Sequence, residues 1–499
     1  MLQDALDGRG DLPTADSASA YALLAVLQAE ANDKPAAFAT VERRRAHSLR
    51  VALARNERDI SRGMTVAEQD NERKLAGEVV SVRAQLDHEK ALPKPDAARL
   101  DRLQQRLRTA VEKRTSQRSE LFTRLPDLRT WRGLESAVSA DEAARVLMAG
   151  EALAEFVIDD EDLLVVFLTQ GSERANCRVF LAPVTRHALA ERIAHAVEPA
   201  GLRDVATWQE ASADLLRSMP EGAITAIASA PRAILVPDDV LWRVPFEALP
   251  LGEGFLADRT TILYAGSATS LVRVPPLPSA VTGTPIVVGP PQLTLTVRDR
   301  VRRNFPGWPL RSSDSADAEV HLLRGVFEDP PPTVLSGEEV TETALRRQAA
   351  AASVLHIAAP FRINGASPLF STALLTPDSP PSENVADVDG ALEAREVMNL
   401  DLHAAATVFS DGTSTSMRNA APAIDLVRWA WRAAGVPTIV LSRWATEDDQ
   451  TVAMLKEFYG RVRAGDPLDV ALQGARMAVR GREGTSAPYF WAGWMVVGR

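Results

Sequence analysis

Three residues with catalytic potential fall at related positions in two apolar segments of the sequence. His356 lies inside the apolar run 354–359, and Ser410 and Asp411 close the run that begins at residue 406. Short apolar runs separated by helical patterns are typical of neighbouring strands in a parallel sheet. A serine hydroxyl can attack a carbonyl group when an oriented histidine takes its proton, and an aspartate often orients that histidine. These three residues are therefore candidates for nucleophilic catalysis.

The position of His356 along its strand favours a different role. Alternate residues of a strand share one face, so His356, Ala358 and Pro360 point the same way. At roughly 3.3 Å per residue, His356 lies about 13 Å back from Pro360. Chemistry in α/β sheets takes place just past the carboxyl ends of the strands. This depth favours a histidine packed beneath the end of the sheet, and the serine–histidine arrangement stays an alternative.

The remaining metal-binding and nucleophilic residue types form no recognisable motif. Cys177 is the only cysteine, which excludes an internal disulfide and a multi-cysteine metal site. It lies in an alternating strand pattern, which favours a packed thiol over a nucleophile. His321 and His403 show no metal-ligand spacing with carboxylates, and no glycine-rich phosphate loop is present. We expect neither a metal nor a cofactor.

Two segments carry a family resemblance. Residues 355–361 read Leu-His-Ile-Ala-Ala-Pro-Phe, which resembles the Leu-His-Ile-Ala-Thr-His-Gly strand of CHAT-domain proteins. Those proteins are caspase-like peptidases that are often joined to tetratricopeptide repeats. Residues 408–413 read Val-Phe-Ser-Asp-Gly-Thr and are similar to that family's Val-Leu-Ser-Ala-Cys-Glu. On this register, Pro360 stands where the family has its catalytic histidine, and Gly412 where it has its cysteine.

Further segments resemble the same family and follow in the same order. They are 236–249, 389–397, 442–448 and 488–492. The resemblance implies an α/β fold with a caspase-like, mostly parallel sheet that is flanked by helices and preceded by an α-helical N-terminal region. Asp238, in the first of these segments, is a further candidate for the cleft.

The two substituted positions decide the functional expectation. A cysteine peptidase needs a thiolate nucleophile and an imidazole that transfers the proton. Glycine has no side chain and proline has no proton-transfer group, so the resemblance implies a pseudo-peptidase. We expect it to act by binding a protein partner or peptide segment. The alternatives are a cysteine-independent hydrolase of the same family and a structural subunit that docks through residues 56–125.

The N-terminal third reads as helical. Residues 18–55 form a helical pair around a turn at 32–35 and resemble the last tetratricopeptide repeat before many CHAT domains. Residues 56–125 are strongly charged and carry two heptad-like apolar stripes separated by Pro93 and Pro95. An arginine-rich run between Arg102 and Arg114 is read as a solvated helix face. The predicted domains are a helical pair at 1–55, a helical hairpin or coiled coil at 56–135, and a CHAT domain at 136–499.

Within the last domain, two further patterns give local predictions. Residues 163–168 and 177–181 are apolar runs around a short polar segment, which predicts a β-hairpin. Residues 275–335 are rich in proline and read as a connector interrupted by one strand at 285–289.

Bulk properties exclude several classes of protein. The net charge of the 499 residues is −10, which argues against nucleic acid as the default partner. No apolar run approaches the ~18 residues needed to span a bilayer, and the first residues lack signal-peptide features. We expect a cytoplasmic protein without a membrane partner, and the sequence leaves the oligomeric state open.

Overall fold

The computed structural model describes residues 16–54, 60–273, 281, 283–304, 308, 310, 313–378, 389–411 and 423–498. Their contacts divide the chain into two compact units. One comprises the residues up to 52 together with those from 136 onward, and the other comprises residues 53–135.

The first unit is built on a large sheet that contains eleven of the strands in the described part of the chain. The strands are β1 Glu151–Ile158, β2 Asp162–Thr169, β3 Asn176–Pro183, β4 Arg232–Val236, β5 Pro250–Leu251, β6 Gly254–Phe255, β7 Thr261–Tyr264, β8 Ile286–Pro291, β9 Thr333–Gly337, β10 Val354–Ile357, β11 Phe361–Arg362, β12 Thr372–Leu374, β13 Ala391–Glu393, β14 Ala406–Phe409, β15 Thr438–Ser442 and β16 Trp494–Val497. The order across the large sheet is β3-β2-β1-β4-β7-β16-β15-β14-β10-β8-β9. Strands β11, β12 and β13 form a small sheet of their own.

Helices surround these strands and also form the N-terminal region. Those in the described residues are α1 Asp16–Glu30, α2 Lys34–Ala54, α3 Val66–Lys90, α4 Ala97–Arg124, α5 Pro126–Trp131, α6 Ala140–Arg145, α7 Arg186–Ala196, α8 Pro199–Leu202, α9 Val205–Leu216, α10 Ala223–Ala228, α11 Ala268–Val272, α12 Leu295–Asn304, α13 Ser313–Val326, α14 Glu342–Ala349, α15 Ala394–Val397, α16 Ala423–Ala434, α17 Asp448–Arg463, α18 Leu468–Arg480 and α19 Pro488–Trp491. Short 3-10 turns lie at Asp239–Arg243, Phe246–Ala248, Leu256–Asp258 and Pro368–Phe370.

Most neighbouring strands of the large sheet are parallel. Seven of its ten strand pairs run parallel, and the exceptions are β1–β2, β2–β3 and β15–β16. Every residue of β10, β14 and β15 is buried, as expected of strands covered by helices on both faces. The predicted fold class, an α/β protein with a mostly parallel sheet behind a helical N-terminal region, is confirmed.

Glycine allows one close turn in this layout. Gly435 joins α16 to β15 with a φ of +108°, a conformation that residues with a side chain rarely adopt. A Cβ atom at this position would overlap the backbone oxygen of Leu402. The turn brings the chain directly from α16 into the start of β15.

The helical pair α1–α2 packs within the same unit as the sheet. Ala25 and Val26 of α1 and Phe38 and Val41 of α2 are buried in the main apolar core. A lone helical repeat cannot bury its own apolar face, and here the sheet-containing body covers one face of the pair.

The second unit contains the two longest helices among the described residues. Thr65 begins α3 with a capping box, in which its hydroxyl accepts a hydrogen bond from the Glu68 backbone N–H. Val82 and Leu86 of α3 pack against Leu103 of α4. The Arg132 side chain is buried and donates to both carboxylate oxygens of Glu72, at 2.6 and 2.8 Å. Apolar packing and charge pairing therefore both hold this unit together.

The expectation of a mostly irregular connector at 275–335 was wrong. The predicted strand is present as β8, but helices α12 and α13 and strand β9 also lie in this interval. Val320 and Leu323 of α13 are buried in the main core. The described prolines of this interval lie outside these two helices. The high proline content predicts a connector, although the helical segments between the prolines are amphipathic.

No described helix is long and apolar enough to cross a membrane.

Candidate functional site

The edge of the sheet where β10 and β14 end is the predicted site. The two strands are parallel neighbours, and Ile357 at the end of β10 pairs with Phe409 at the end of β14. Pro360 and Gly412 each follow these paired residues by three positions. Gly412 lies outside the described residues, so the structure is informative about Pro360 and about the residues just before 412.

His356 is buried and holds two hydrogen-bond partners inside the protein. Its Nε2 lies 2.9 Å from a carboxylate oxygen of Glu319 on α13. Its Nδ1 lies 3.0 Å from the hydroxyl of Tyr459 on α17. All three side chains are about 1% exposed or less. Both ring nitrogens are therefore engaged with helices that cover the sheet.

Ser410 and Asp411 make different contacts. The Ser410 hydroxyl donates to the backbone oxygen of Ile357 at 3.4 Å, and its N–H donates to the same oxygen at 3.2 Å. The Asp411 carboxylate accepts a hydrogen bond from the Phe361 N–H at 3.2 Å. Neither residue is a hydrogen-bond partner of the His356 ring. The structure brings Ser410 and Asp411 to one sheet edge but does not assemble them with His356 as a triad.

Pro360 is followed by a group of stacked aromatic residues. Pro360 is buried, and its backbone oxygen accepts a hydrogen bond from the Leu374 N–H at 2.8 Å. The next residue, Phe361, stacks on Phe409 with 4.0 Å between the ring centroids. Trp431 of α16 meets the same Phe409 ring edge-on at 5.4 Å. An aromatic cluster thus packs across the ends of β10 and β14.

Asp411 links the two strand ends, which leads to a prediction. Asp411→Ala leaves the buried Phe361 N–H without its acceptor. We expect the free energy of unfolding to fall by about 1–3 kcal/mol. Urea denaturation followed by circular dichroism measures this. The control is Ser19→Ala, an exposed change on α1, for which no change in stability is expected. Ser371→Ala would not serve, because the Ser371 hydroxyl accepts a hydrogen bond from the Asn364 N–H.

Asp238 lies elsewhere in the sheet. It follows β4, which is four strands from β14 in the sheet order. β4, β7 and β16 run parallel, but β16 is antiparallel to β15, so β4 runs opposite to β14. The carboxyl end of β4 therefore lies at the edge where β14 begins. The expectation that Asp238 shares a cleft with Ser410 is corrected by this reversal.

The contacts of Asp238 are those of a structural residue. Its carboxylate pairs with Arg44 of α2 at 2.9 Å and accepts the Ile158 N–H at 2.9 Å. Burial by itself would raise the pKa of this carboxyl group. The charges of Arg44 and Arg45 and these hydrogen bonds outweigh burial, and the pKa is lowered. Asp238 therefore anchors α2 to the end of β4 as a carboxylate.

A group of aromatic residues lies near the carboxyl end of β15. This end is at the same edge of the sheet as the carboxyl ends of β10 and β14. Trp444 and Phe490 are half-buried, and the Trp444 indole stacks beside Tyr489. The Arg203 guanidinium lies 3.7 Å from the centre of the Tyr489 ring and pairs with Glu447 at 2.7 Å. Sequence reasoning treated 442–448 and 488–492 as family-like segments only, and it did not place Arg203 beside them.

The described residues include no group of three or more His, Cys, Asp or Glu side chains arranged to hold a metal ion. His403 is exposed, and its Nε2 lies 3.9 Å from a carboxylate oxygen of Asp401. Cys177 is half-buried on β3, and burial raises the pKa of its thiol to about 11.

Comparison with known proteins gives one family, one curated protein of low identity and two solved structures of weak similarity. The family model of the CHAT domain matches residues 206–499. Tetratricopeptide repeat protein 28 from Homo sapiens is 23% identical over 306 residues, which cover 53% of this chain and 12% of that protein. Two crystal structures of the Saccharomyces cerevisiae separase–securin complex match at 10% identity, with TM-scores of 0.42 and 0.43. These matches cover 85% and 93% of this chain but only 37% and 40% of the solved chains.

Proposed function

Since this chain belongs to the CHAT-domain family, we propose that it is a catalytically inactive member that acts by binding a protein partner. The observation that carries the proposal is the set of contacts at the edge of the sheet where β10 and β14 end. Pro360 is buried there, hydrogen-bonded to Leu374, and followed by an aromatic stack. A proline cannot accept the proton of a thiol, and the sequence has glycine where the thiol would stand.

The alternative hydrolase would need a base for the Ser410 hydroxyl. The candidate that the sequence suggests is His356, but its two ring nitrogens are hydrogen-bonded to Glu319 and Tyr459. A general base must lie within hydrogen-bond reach of the proton that it takes. The geometry therefore supports a packed histidine and an inactive site.

Peptide hydrolysis tests the proposal directly. We expect no turnover when the purified protein is incubated with a diverse library of fluorogenic peptides, and no labelling by a fluorophosphonate that modifies activated serines. The Ser410→Ala variant should be indistinguishable from the wild type in both assays. Turnover or labelling that Ser410→Ala abolishes would show that the protein is a serine-dependent hydrolase.

The binding half of the proposal is supported by the residues after β15. Trp, Tyr and Arg are the residue types that most often dominate the energy of protein interfaces. Trp444 and Arg203 present such side chains, beside the half-buried Phe490, at the same edge as the lost catalytic positions. We propose that a peptide segment of the partner lies across this face.

A peptide array tests the binding face. Fluorescently labelled wild-type protein should bind a subset of the peptides. Trp444→Ala should bind the same peptides with an affinity at least about tenfold lower, the usual scale of a hot-spot residue. Lys456→Ala, an exposed change on α17, is the matched control and should bind as the wild type does. Equal binding by Trp444→Ala and wild type would remove this face from the proposal.

A further inference from the structure

Two glutamates meet in the core between the helical pair α1–α2 and the sheet. Glu42 lies on α2 and Glu155 on β1, and both are fully buried. Both carboxyl groups accept a hydrogen bond from the same Ala268 N–H, at 3.0 and 3.1 Å. Two oxygens that lie this close to one donor are at most about 6 Å apart, a distance at which two buried negative charges repel strongly.

The hydrogen-bond donors around the pair are divided unequally between the two carboxyl groups. Glu42 also accepts hydrogen bonds from the Thr269 N–H, at 2.6 Å, and from the Thr269 hydroxyl. Glu155 has only the shared Ala268 N–H among its hydrogen bonds to backbone groups. A carboxyl group with fewer donors gains less from ionisation, so it holds a proton more tightly.

Too little positive charge faces the pair to ionise both groups. The nearby cation is Arg45 of α2, whose guanidinium donates to the backbone oxygens of Phe156 and Val236 at 2.8 and 3.0 Å. Its neighbour Arg44 is paired with Asp238. Helix α11, which supplies Ala268 and Thr269, contains no charged residue. Burial is the main cause that raises the pKa of Glu155, the charge of Glu42 is the next, and Arg45 opposes both.

We infer that Glu42 and Glu155 share one proton, and that this proton controls how firmly the helical pair α1–α2 docks on the sheet. The docked form binds the proton more tightly than the undocked form does. Its stabilisation is therefore complete below the ordinary range of a glutamate and is lost as the pH rises through the raised value. The docked pair loosens in alkaline solution.

The only cysteine is a built-in reporter of this docking. The Cys177 thiol on β3 lies 3.7 Å from the backbone oxygen of Lys34, the first residue of α2. Movement of α2 away from the sheet uncovers the thiol. The rate at which a thiol reagent modifies Cys177 therefore has a basal part, from the half-buried thiol of the docked form, and a part that increases when the pair opens.

The test compares this rate in wild type and in Glu155→Gln from about pH 6 to pH 9, with a disulfide reagent whose product absorbs light. The glutamine amide can donate to Glu42 and does not titrate. Charged Glu155 also raises the pKa of the Cys177 thiol, so the variant forms thiolate at least as readily as the wild type does. A ratio of wild type to variant that rises with pH therefore cannot come from thiolate formation. We expect the ratio of wild type to variant to rise with pH, by up to about tenfold per unit, and to level off once the pH exceeds the raised pKa of the docked form.

Two further variants make the outcome unambiguous. Glu30→Gln changes an exposed glutamate of α1 and should follow the wild type at every pH. Glu42→Gln removes the second cause of the raised Glu155 pKa but leaves its burial, so it should weaken the pH dependence without abolishing it. This variant gives a second measurement if Glu155→Gln folds poorly by circular dichroism. A ratio that stays constant or falls as the pH rises overturns the inference.

Discussion

Replacing Glu247 with alanine is expected to lower the free energy of unfolding by about 3–5 kcal/mol, because the change leaves buried charges unpaired. The Glu247 carboxylate accepts from Arg476 at 2.8 Å and lies 3.5 Å from Arg443. The side chains of all three residues are fully buried. The Tyr264 hydroxyl donates to the same carboxylate at 3.0 Å. One carboxylate thus balances two guanidinium groups that have no access to water.

The position of this network explains the expected size of the effect. Arg476 also donates to the backbone oxygen of Trp494, and Arg443 to that of Ala492. The network therefore joins the segment around 247, the end of β15 and the start of β16. Without Glu247, the remaining bonds to backbone oxygens cannot neutralise two buried cations.

Urea denaturation provides the measurement, and a second ion pair provides the control. Asp258 pairs with Arg480 at 2.6 Å, with both side chains about a third exposed or less. Asp258 also accepts the Phe255 N–H, so Asp258→Ala should cost about 1–2 kcal/mol rather than nothing. A Glu247→Ala variant no less stable than Asp258→Ala would mean that the network contributes little.

The same network gives a structural reason for several of the family-like segments. Glu247 falls in the segment 236–249, Arg443 in 442–448 and Ala492 in 488–492. These segments meet in a buried charge cluster, so stability alone gives a reason to retain them. Their presence in the sequence is therefore evidence for the fold and says nothing about turnover.

Local patterns in the sequence were sufficient to predict the centre of the sheet. The runs at 354–359, 406–410 and 438–442 became β10, β14 and β15, because buried parallel strands leave continuous apolar signals. The hairpin of β2 and β3 was equally clear, since its polar turn separates two apolar runs. The depth argument for His356 also agrees with its burial.

Contacts between distant segments could not be predicted in the same way. The two partners of His356 are 37 and 103 residues away in sequence. The edge on which Asp238 lies depends on β16, the last strand, which enters the sheet antiparallel to β15. Glu42 and Glu155 are likewise brought together only by docking of α2. No local pattern encodes these pairings, because each depends on how whole elements pack.

His356→Leu is expected to lower the free energy of unfolding by about 3 kcal/mol, because the buried Glu319 carboxylate and Tyr459 hydroxyl lose their hydrogen bonds to the ring. Glu319 lies 2.9 Å from the ring and is fully buried. Burial, together with the Glu319 charge, raises the pKa of Tyr459, so its hydroxyl stays protonated and remains a donor. Chemical denaturation of the single variant at neutral pH measures the loss.

The double variant separates a structural histidine from a catalytic one. Replacing His356 and Glu319 together with leucine removes both polar groups, and apolar replacements of a buried pair are often neutral or stabilising. We therefore expect the double variant to recover most of the stability that His356→Leu loses, leaving about 1 kcal/mol for the unpaired Tyr459 hydroxyl. Tyr459→Phe, which removes that hydroxyl alone, should show a loss of the same small size.

A histidine kept for catalysis would behave differently, since its removal would abolish turnover while changing stability little. If adding Glu319→Leu to His356→Leu restores stability, the role of His356 is to hold α13 and α17 on the sheet.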